Sequence, residues 1–391
     1  MGAVKSSLLI LFLLFLQPLA AQEKSFDEVN MTSYALYEKG SWDELLNYGN
    51  EAIETGVDFV LLRLRMGYAS FMKASYVKAL KHYAVVLKQD SYNSTARYYS
   101  WLCYTYLNEP ELASGHAKFM DAATLSSLRL KKVAITNVGF ESSYKITDEN
   151  RRGNHWYGRL DIVTRLGWNV HMQHSIASFN QEISEPTLVF VQKNNHISIR
   201  QVEYYNKTTI NIAKRLQLKL AYHYLKTPFN NFSYNNQLAL GGIKYYGNYF
   251  EAGAEVVAAR ITDVNRQQFN LRVGAFPFGN MNLYTYSTLM LSHYSGTHTN
   301  FKQVVGCRLM KKFWLEANGT FGAFSNLVEN EGLYLYHAID ANKYKMGATL
   351  YYPATKNIRL QIGYTNEQRQ LFNSPKIFTQ HSLTGGLSWV L

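Results

Sequence analysis

The chain has 391 residues, a formal charge of +12, 47% hydrophobic residues and a mean hydropathy of −0.23. After residue 21 no apolar run approaches the ~20 residues that a spanning helix needs, which excludes a helical membrane protein. Two widely separated cysteines exclude a disulfide scaffold, and the 30 tyrosines are typical of surfaces that are apolar on one side and wet on the other.

The first 21 residues predict a cleaved secretory signal. Lys5 supplies a positive charge, residues 8–16 form an unbroken apolar run, and small residues end at Ala21. The run is too short to span a membrane, and its flanks are typical of a signal peptide. We therefore expect residues 1–21 to be removed on export. An exported chain is not expected to meet nucleic acid, in spite of its positive charge.

Residues 22–126 have helical periodicity and an internal repeat of 34 residues. Gly67 stands nine residues before Tyr76, where a helix-pair repeat of this period needs a small side chain. The repeat positions are Trp42, Leu45, Gly67, Tyr76, Ala79, Tyr83, Pro110 and Ala113. The pattern resembles tetratricopeptide repeats, of which about three are needed to bury a stacked core. We expect a tetratricopeptide-like domain that binds a protein partner; an unrelated all-helical domain is the alternative.

From residue 132 the hydrophobic period changes to two, which indicates strands. In residues 215–227, Leu216, Leu218 and Leu220 share one face, while Gln217 and Lys219 share the other. One face suits lipid and the other a wet lumen. We count fourteen such segments, with twelve as the alternative because residues 182–211 and 326–342 are hard to parse. The predicted fold class is thus an α+β multidomain chain: a helical stack followed by an antiparallel transmembrane β-barrel over residues 132–391.

The connections between the segments alternate in length. Those near residues 167–169, 213–214, 246–248, 311–312 and 353–357 are short, whereas those at 182–195 and 327–343 are longer and polar. Short turns face the periplasm in bacterial barrels, and longer loops face outward. This pattern places the helical domain in the periplasm, with residues 121–131 as the connector.

The predicted lumen face is more basic than acidic. Its cations are Arg159, Arg215, Lys219, Arg272, Lys302, Arg308, Lys343, Lys345 and Arg359, and its anions are Asp161, Glu251, Glu255, Glu316 and Glu367. Two interpretations stay open. The charges pair and plug the lumen, or they line a pore or groove for an anionic solute or polymer.

One local pattern has a catalytic interpretation. His293 and Ser295 stand two apart at a strand end, as in barrel lipid hydrolases in which imidazole activates a serine hydroxyl, and Asn300 is a candidate to orient the imidazole. Three-residue patterns of this kind are common by chance. No phosphate loop, His-Glu metal motif or paired cysteine ligands are present, so we expect no cofactor and no metal.

The last nine residues form an amphipathic strand. Leu383, Leu387, Trp389 and Leu391 share one face. A barrel needs such a final strand to pair with its first strand, because an open edge in lipid leaves backbone groups unpaired. We therefore expect this strand to close the barrel; an edge strand of a soluble sheet is the alternative.

The architecture, residues 159–168 and the closing strand together resemble the YaiO family of outer-membrane barrels. That resemblance implies an outer-membrane location, with contacts to lipid, lipopolysaccharide and the barrel-assembly machinery. The architecture also looks like exopolysaccharide export porins on a smaller scale. Our expectation is a non-enzymatic barrel with periplasmic protein-binding repeats that assists envelope or surface-polysaccharide transport. The alternatives are a lipid hydrolase and a pore for anionic solutes.

Overall fold

The structure is a computed structural model that describes residues 24–184, 196–229, 232–294, 296–336 and 339–391. The predicted signal peptide lies outside these residues. The chain divides into two compact units, Met1–Tyr99 and Ser100–Leu391. None of the described helices has the length and apolar character that crossing a membrane requires.

The first unit consists of short amphipathic helices. They are α1 (Phe26–Lys39), α2 (Trp42–Glu54), α3 (Val60–Met72), α4 (Tyr76–Gln89) and the start of α5 (Ser94–Tyr106). The Ser25 hydroxyl caps α1 by accepting a hydrogen bond from the backbone N–H of Glu28. The core of this unit is built from buried side chains such as Val29, Leu62 and Met66.

Gly67 lies in α3 against the ring of Tyr83, as the repeat spacing predicts for a small residue. A Cβ at Gly67 would lie 2.6 Å from Cε1 of that ring. Three other predicted repeat positions are the first residues of helices, with Trp42 first in α2, Tyr76 first in α4, and Pro110 first in α6 (Pro110–Ala117). The remaining positions, Leu45, Ala79, Tyr83 and Ala113, lie inside these helices and are buried.

The predicted tetratricopeptide-like stack is nevertheless wrong. The division between the units falls within α5, and α6 has only 8 residues and belongs to the second unit. There α6 contacts a barrel strand. Since about three stacked repeats are needed to bury a continuous core, two helix pairs followed by a barrel-bound helix do not form such a stack.

The second unit contains α6, a one-turn-and-a-half helix α7 (Ala122–Ser127) and the strands. The strands are β1 (Val133–Thr147), β2 (Arg152–Leu166), β3 (Val170–Ser184), β4 (His196–Ala213), β5 (Leu216–Phe229), β6 (Phe232–Tyr246), β7 (Phe250–Ile261), β8 (Val264–Ala275), β9 (Leu283–His293), β10 (Thr297–Met310), β11 (Phe313–Phe324), β12 (Val328–Glu329), β13 (Tyr334–Leu335), β14 (Ala341–Pro353), β15 (Ile358–Gln370) and β16 (Ile377–Val390).

Fourteen of the described strands form one closed antiparallel barrel. Each pairs with its sequence neighbours, apart from two pairings. β11 pairs with β14, because the two-residue strands β12 and β13 pair with each other, and β16 pairs with β1. The predicted barrel and its count of fourteen strands are confirmed. A closed barrel of this kind, with an apolar outer surface, is the architecture of outer-membrane proteins.

β16 closes the barrel. It pairs with β15 on one side and β1 on the other, where Leu387 lies opposite Phe140. Leu383, Leu387 and Trp389 face outward and are exposed, while Ser382 faces inward and is buried. Leu391 follows the strand, and its backbone N–H donates to the carbonyl of Thr136 at 3.1 Å.

Candidate functional site

The segment between β11 and β14 folds into the barrel lumen. Its residues 325–336, here called the inward hairpin, contain β12 and β13. Asn330, Glu331 and Gly332 make the turn with φ values of 51°, 59° and 89°. Such left-handed conformations favour Asn and Gly. The run Val-Glu-Asn-Glu-Gly-Leu is therefore a hairpin signal that our sequence reading missed.

An apolar patch on the wall receives the hairpin. Val328 and Leu335 are buried against lumen-facing side chains of neighbouring strands, with Leu333 packed beside them. These wall residues are Tyr205, Ala221, Leu225, Leu238, Leu240, Val257 and Ile261. Apolar residues inside a lumen are otherwise unfavourable beside water. The hairpin therefore covers an apolar part of the wall that would otherwise face water in the lumen.

Polar backbone contacts fix the position of the hairpin. Gln268 clamps Val328, donating to its carbonyl at 2.7 Å and accepting from its N–H at 3.1 Å. The Tyr205 hydroxyl donates to the Glu331 carbonyl at 2.9 Å. Nδ1 of His223 lies 2.8 Å from the Gly332 carbonyl oxygen. The hairpin backbone is thus paired with side chains from three strands, as a buried backbone requires.

The two hairpin glutamates each sit between two lysines of the wall. Glu331 pairs with Lys207 at 2.7 Å and with Lys219. Glu329 pairs with Lys302 at 3.0 Å and Lys345 at 3.7 Å. Burial by itself raises the pKa of the Glu331 carboxyl, but Lys207 and Lys219 outweigh it and hold that pKa well below its ordinary value.

Other lumen cations find carboxylates on the wall itself. Arg159 pairs with Asp161 at 2.9 Å and Glu141 at 3.5 Å. Lys145 pairs with Glu367 at 3.1 Å, and Arg369 shares the same carboxylate. The positive charges of Arg159, Lys145 and Arg369 are therefore balanced by carboxylates of the wall, although the hairpin residue Tyr334 also donates to Glu141 at 3.0 Å.

The end of the barrel where the short turns lie, here called the short-turn end, is contacted by residues 104–117 of the same unit. The Glu109 carboxylate lies 2.7 Å from the Lys244 ammonium, and Asn211 donates to the Glu111 carbonyl at 2.5 Å. The rings of Tyr104 and Tyr246 are 6.0 Å apart. We call residues 104–117 the mouth segment.

A cavity of about 870 Å³ remains in the lumen beside the hairpin. Its lining combines tyrosine rings, amides and charged groups, including Lys302 and Lys345. The tyrosines are Tyr157, Tyr234, Tyr286, Tyr334, Tyr336 and Tyr351. The volume is that of a small-molecule pocket. No group of three or more potential metal ligands occurs among the described residues.

Five of the predicted basic lumen residues take part in ion pairs of the lumen. Arg159, Lys219, Lys302 and Lys345 do so, as does Arg272, whose Nε lies 3.4 Å from Glu251. Lys343 lies at the start of β14, and the other three lie near the short-turn end. Arg215 donates to Asn248 at 3.0 Å, Arg308 to the Lys311 carbonyl at 2.8 Å, and Arg359 lies over the Tyr351 ring.

The residues that our reading missed are Lys207, Glu329 and Glu331. The hairpin glutamates fell in a segment that was not assigned, and Lys207 carries no local signal of its partner.

The structure places two of the candidate catalytic residues, His293 and Asn300, apart from each other. His293 is exposed and lies near the Thr297 hydroxyl at 3.5 Å. Asn300 is buried, and its amide is directed to the carbonyl of Phe321 at 3.4 Å. Ser295 lies outside the described residues. His293 and Asn300 therefore lie on opposite faces of the barrel wall, with no shared site.

No family model matches the chain, and no curated protein matches it in sequence. Among solved structures it is similar to the Pseudomonas putida toluene transporter TodX, with 9% identity, a TM-score of 0.42, and coverage of 69% of this chain and 93% of that one. A Pseudomonas aeruginosa FadL homologue gives 7% identity, a TM-score of 0.42, and coverage of 72% and 92%. A bacterial polysaccharide outer membrane secretin gives 8% identity, a TM-score of 0.41, and coverage of 66% of this chain and 98% of that one. The barrel assignment therefore rests on the strand pairing of this chain.

Proposed function

We propose that this protein is a non-enzymatic outer-membrane barrel that moves a solute through its lumen, with the inward hairpin as the element that closes the path. The observation that supports this most directly is the pairing of a cavity of about 870 Å³ with a hairpin held only by non-covalent contacts. A permanent plug needs no adjoining cavity, whereas a closed path that opens needs space beside its gate.

The test is conductance across a planar bilayer. One variant replaces residues 326–336 by a short Gly-Ser linker, which β11 and β14 permit because they are adjacent strands. We expect low conductance from the unaltered protein and large, steady steps from this variant. The control replaces residues 371–376, the connection between β15 and β16, by a linker of similar kind.

A folded hairpin-deleted barrel that conducts no more than the unaltered protein would reject the proposal. Folding is checked separately by gel migration, since a closed barrel that resists detergent migrates differently before and after boiling.

We extend the proposal to the location of the first unit. Its helices leave Phe26, Met31, Tyr34 and Leu61 exposed within that unit, which supports a role in binding a protein partner. We place this unit in the periplasm, and the barrel in contact with outer-membrane lipid and lipopolysaccharide after insertion by the barrel-assembly machinery.

Protease added to intact cells should then leave residues 24–131 uncut until the outer membrane is breached. Cleavage of these residues in intact cells would show that the first unit faces outward, and would reject its placement in the periplasm.

A further inference from the structure

The four lysines that hold the inward hairpin differ from the other lumen cations. In the part of the chain that the structure describes, Lys207, Lys219, Lys302 and Lys345 form ion pairs only with Glu329 and Glu331. The lysines come from β4, β5, β10 and β14, so no single strand supplies the site. The wall thus carries four positive charges, and the negative charges that pair with them lie on the inward hairpin.

The arrangement is a built anion site. The lysine side chains are largely buried, with exposed fractions of 10–20%. Buried ammonium groups without a partner are strongly unfavourable, because the low-dielectric surroundings do not replace their hydration. When the hairpin leaves, the lysines therefore need another anion.

Each of the two hairpin carboxylates contacts two lysines. The site therefore keeps an excess of positive charge even when the hairpin occupies it. Thr320 also donates to Glu329 at 2.8 Å, and Asn330 adds an amide oxygen 3.2 Å from Lys302. The wall therefore offers the Thr320 hydroxyl as well as four ammonium groups to an oxyanion, whereas Asn330 leaves with the hairpin.

The cavity joins this site. Lys302 and Lys345 line it together with Tyr336 and Tyr351. A ligand in the cavity can therefore reach the Glu329 half of the site before the hairpin moves. Tyrosine rings beside charged groups suit a solute that has both apolar faces and anionic groups.

We propose that the solute is a polycarboxylate, and that Glu329 and Glu331 occupy its carboxylate positions in the closed state. This inference rests on the proposed function and specifies its solute class. Binding of the solute competes with the hairpin, so an incoming polycarboxylate opens its own path. A neutral solute of the same size has no means of replacing the glutamates.

The test measures binding by titration calorimetry, which does not depend on conduction. The probe is trigalacturonate, and the neutral probe is maltotriose. In Glu329→Gln/Glu331→Gln the competing charges are removed and the shape is kept, so trigalacturonate should bind at least tenfold more tightly than to the unaltered protein. Lys207→Gln/Lys345→Gln should weaken binding at least tenfold. Maltotriose should bind none of them measurably.

The matched control is Glu149→Gln. Glu149 also lies between two cations, Arg151 at 3.5 Å and Lys376 at 2.8 Å, but it lies in the connection between β1 and β2. This variant removes one carboxylate charge where the double variant removes two, and its trigalacturonate affinity should equal that of the unaltered protein. A gain of about threefold or more in Glu149→Gln would reduce the effect to net charge and overturn the inference.

A second measurement applies if the double variants fold poorly. Trigalacturonate added to the unaltered protein should increase hydrogen exchange at the amides of residues 328–335, because the bound solute displaces the hairpin. Unchanged exchange at saturating probe would overturn the competition. A hairpin-deleted barrel that binds trigalacturonate without conducting would instead leave the inference standing and reject transport.

Discussion

At the scale of single residues, Glu109 in the mouth segment is an unusual carboxylate. It is buried, and it shares the ammonium of Lys244 with Glu251, whose carboxylate lies 2.9 Å from the same nitrogen. Burial and the nearby Glu251 and Glu111 raise the pKa of Glu109 to about 7, although Lys244 acts in the opposite direction. Two carboxylates competing for one lysine in a dry site favour a proton on one of them.

This raised pKa predicts pH-dependent docking of the mouth segment. Glu109 binds its proton more tightly when the mouth segment is docked than when it is undocked. The free energy of docking is therefore unaffected by this group below the ordinary carboxyl pKa, and docking weakens as the pH rises through about 7. Hydrogen-exchange protection of residues 104–117, corrected for intrinsic rates, should fall between pH 5.5 and 8.5.

Glu109→Gln should flatten that pH dependence, while Glu111→Gln, at a partly exposed position, should retain it. Protection that stays constant with pH in the unaltered protein would contradict the assignment.

At the scale of elements, the inward hairpin combines a strained turn with two kinds of anchor. Its turn holds two non-glycine residues at positive φ, which typically costs about 1–2 kcal/mol per residue. Apolar packing and the four lysine contacts offset that cost. The hairpin is thus held by interactions that a competing ligand can replace, which distinguishes it from the hydrogen-bonded wall.

A reversible disulfide tests whether the hairpin must move. A Cβ at Gly332 would lie 3.9 Å from that of Ala221, near the ~3.8 Å typical of disulfides. In a Glu329→Gln/Glu331→Gln barrel, Ala221→Cys with Gly332→Cys should abolish conductance when oxidised, and a reductant should restore it.

The background for this experiment carries Cys307→Ser, because Cys307 is a partly accessible free thiol. The single Ala221→Cys variant is the control, and its conductance should be the same under oxidising and reducing conditions. Conductance through the oxidised, cross-linked barrel would place the path elsewhere than past the hairpin.

At the scale of the whole molecule, the barrel separates two environments across one wall. On β15, Leu360, Ile362 and Tyr364 face outward and are exposed, whereas Gln361 lines the cavity and lies 3.3 Å from Glu141. The exposed apolar residues have no favourable role in water. They are consistent with lipid on the outside of a polar interior.

Neighbouring lysine substitutions separate the two sides. Ile362→Lys places an ammonium in lipid and should cost about 2–4 kcal/mol of unfolding free energy in a bilayer. Gln361→Lys places the same group beside Glu141 and should cost far less. Urea unfolding in liposomes measures both, and similar losses for the two variants would mean that the outer surface does not face lipid.

The sequence by itself predicted the strands and the final strand's role, because a side-chain period of two is a local property of the backbone. It left the strand number open between fourteen and twelve, and the strand pairing of the structure decided fourteen. Leu383 and Trp389 indicate an outward face without knowledge of any partner. It also indicated the repeat positions Trp42 and Tyr76 and the need for a small side chain at Gly67. Only the tertiary structure decided that α6 belongs with the barrel rather than with a third repeat, since the choice depends on which surface buries Leu112 and Ala113. It likewise decided the lysine site. Lys207 and Lys345 are 138 positions apart in the sequence. They can pair with the same hairpin only because closure of the barrel brings their strands around a common lumen.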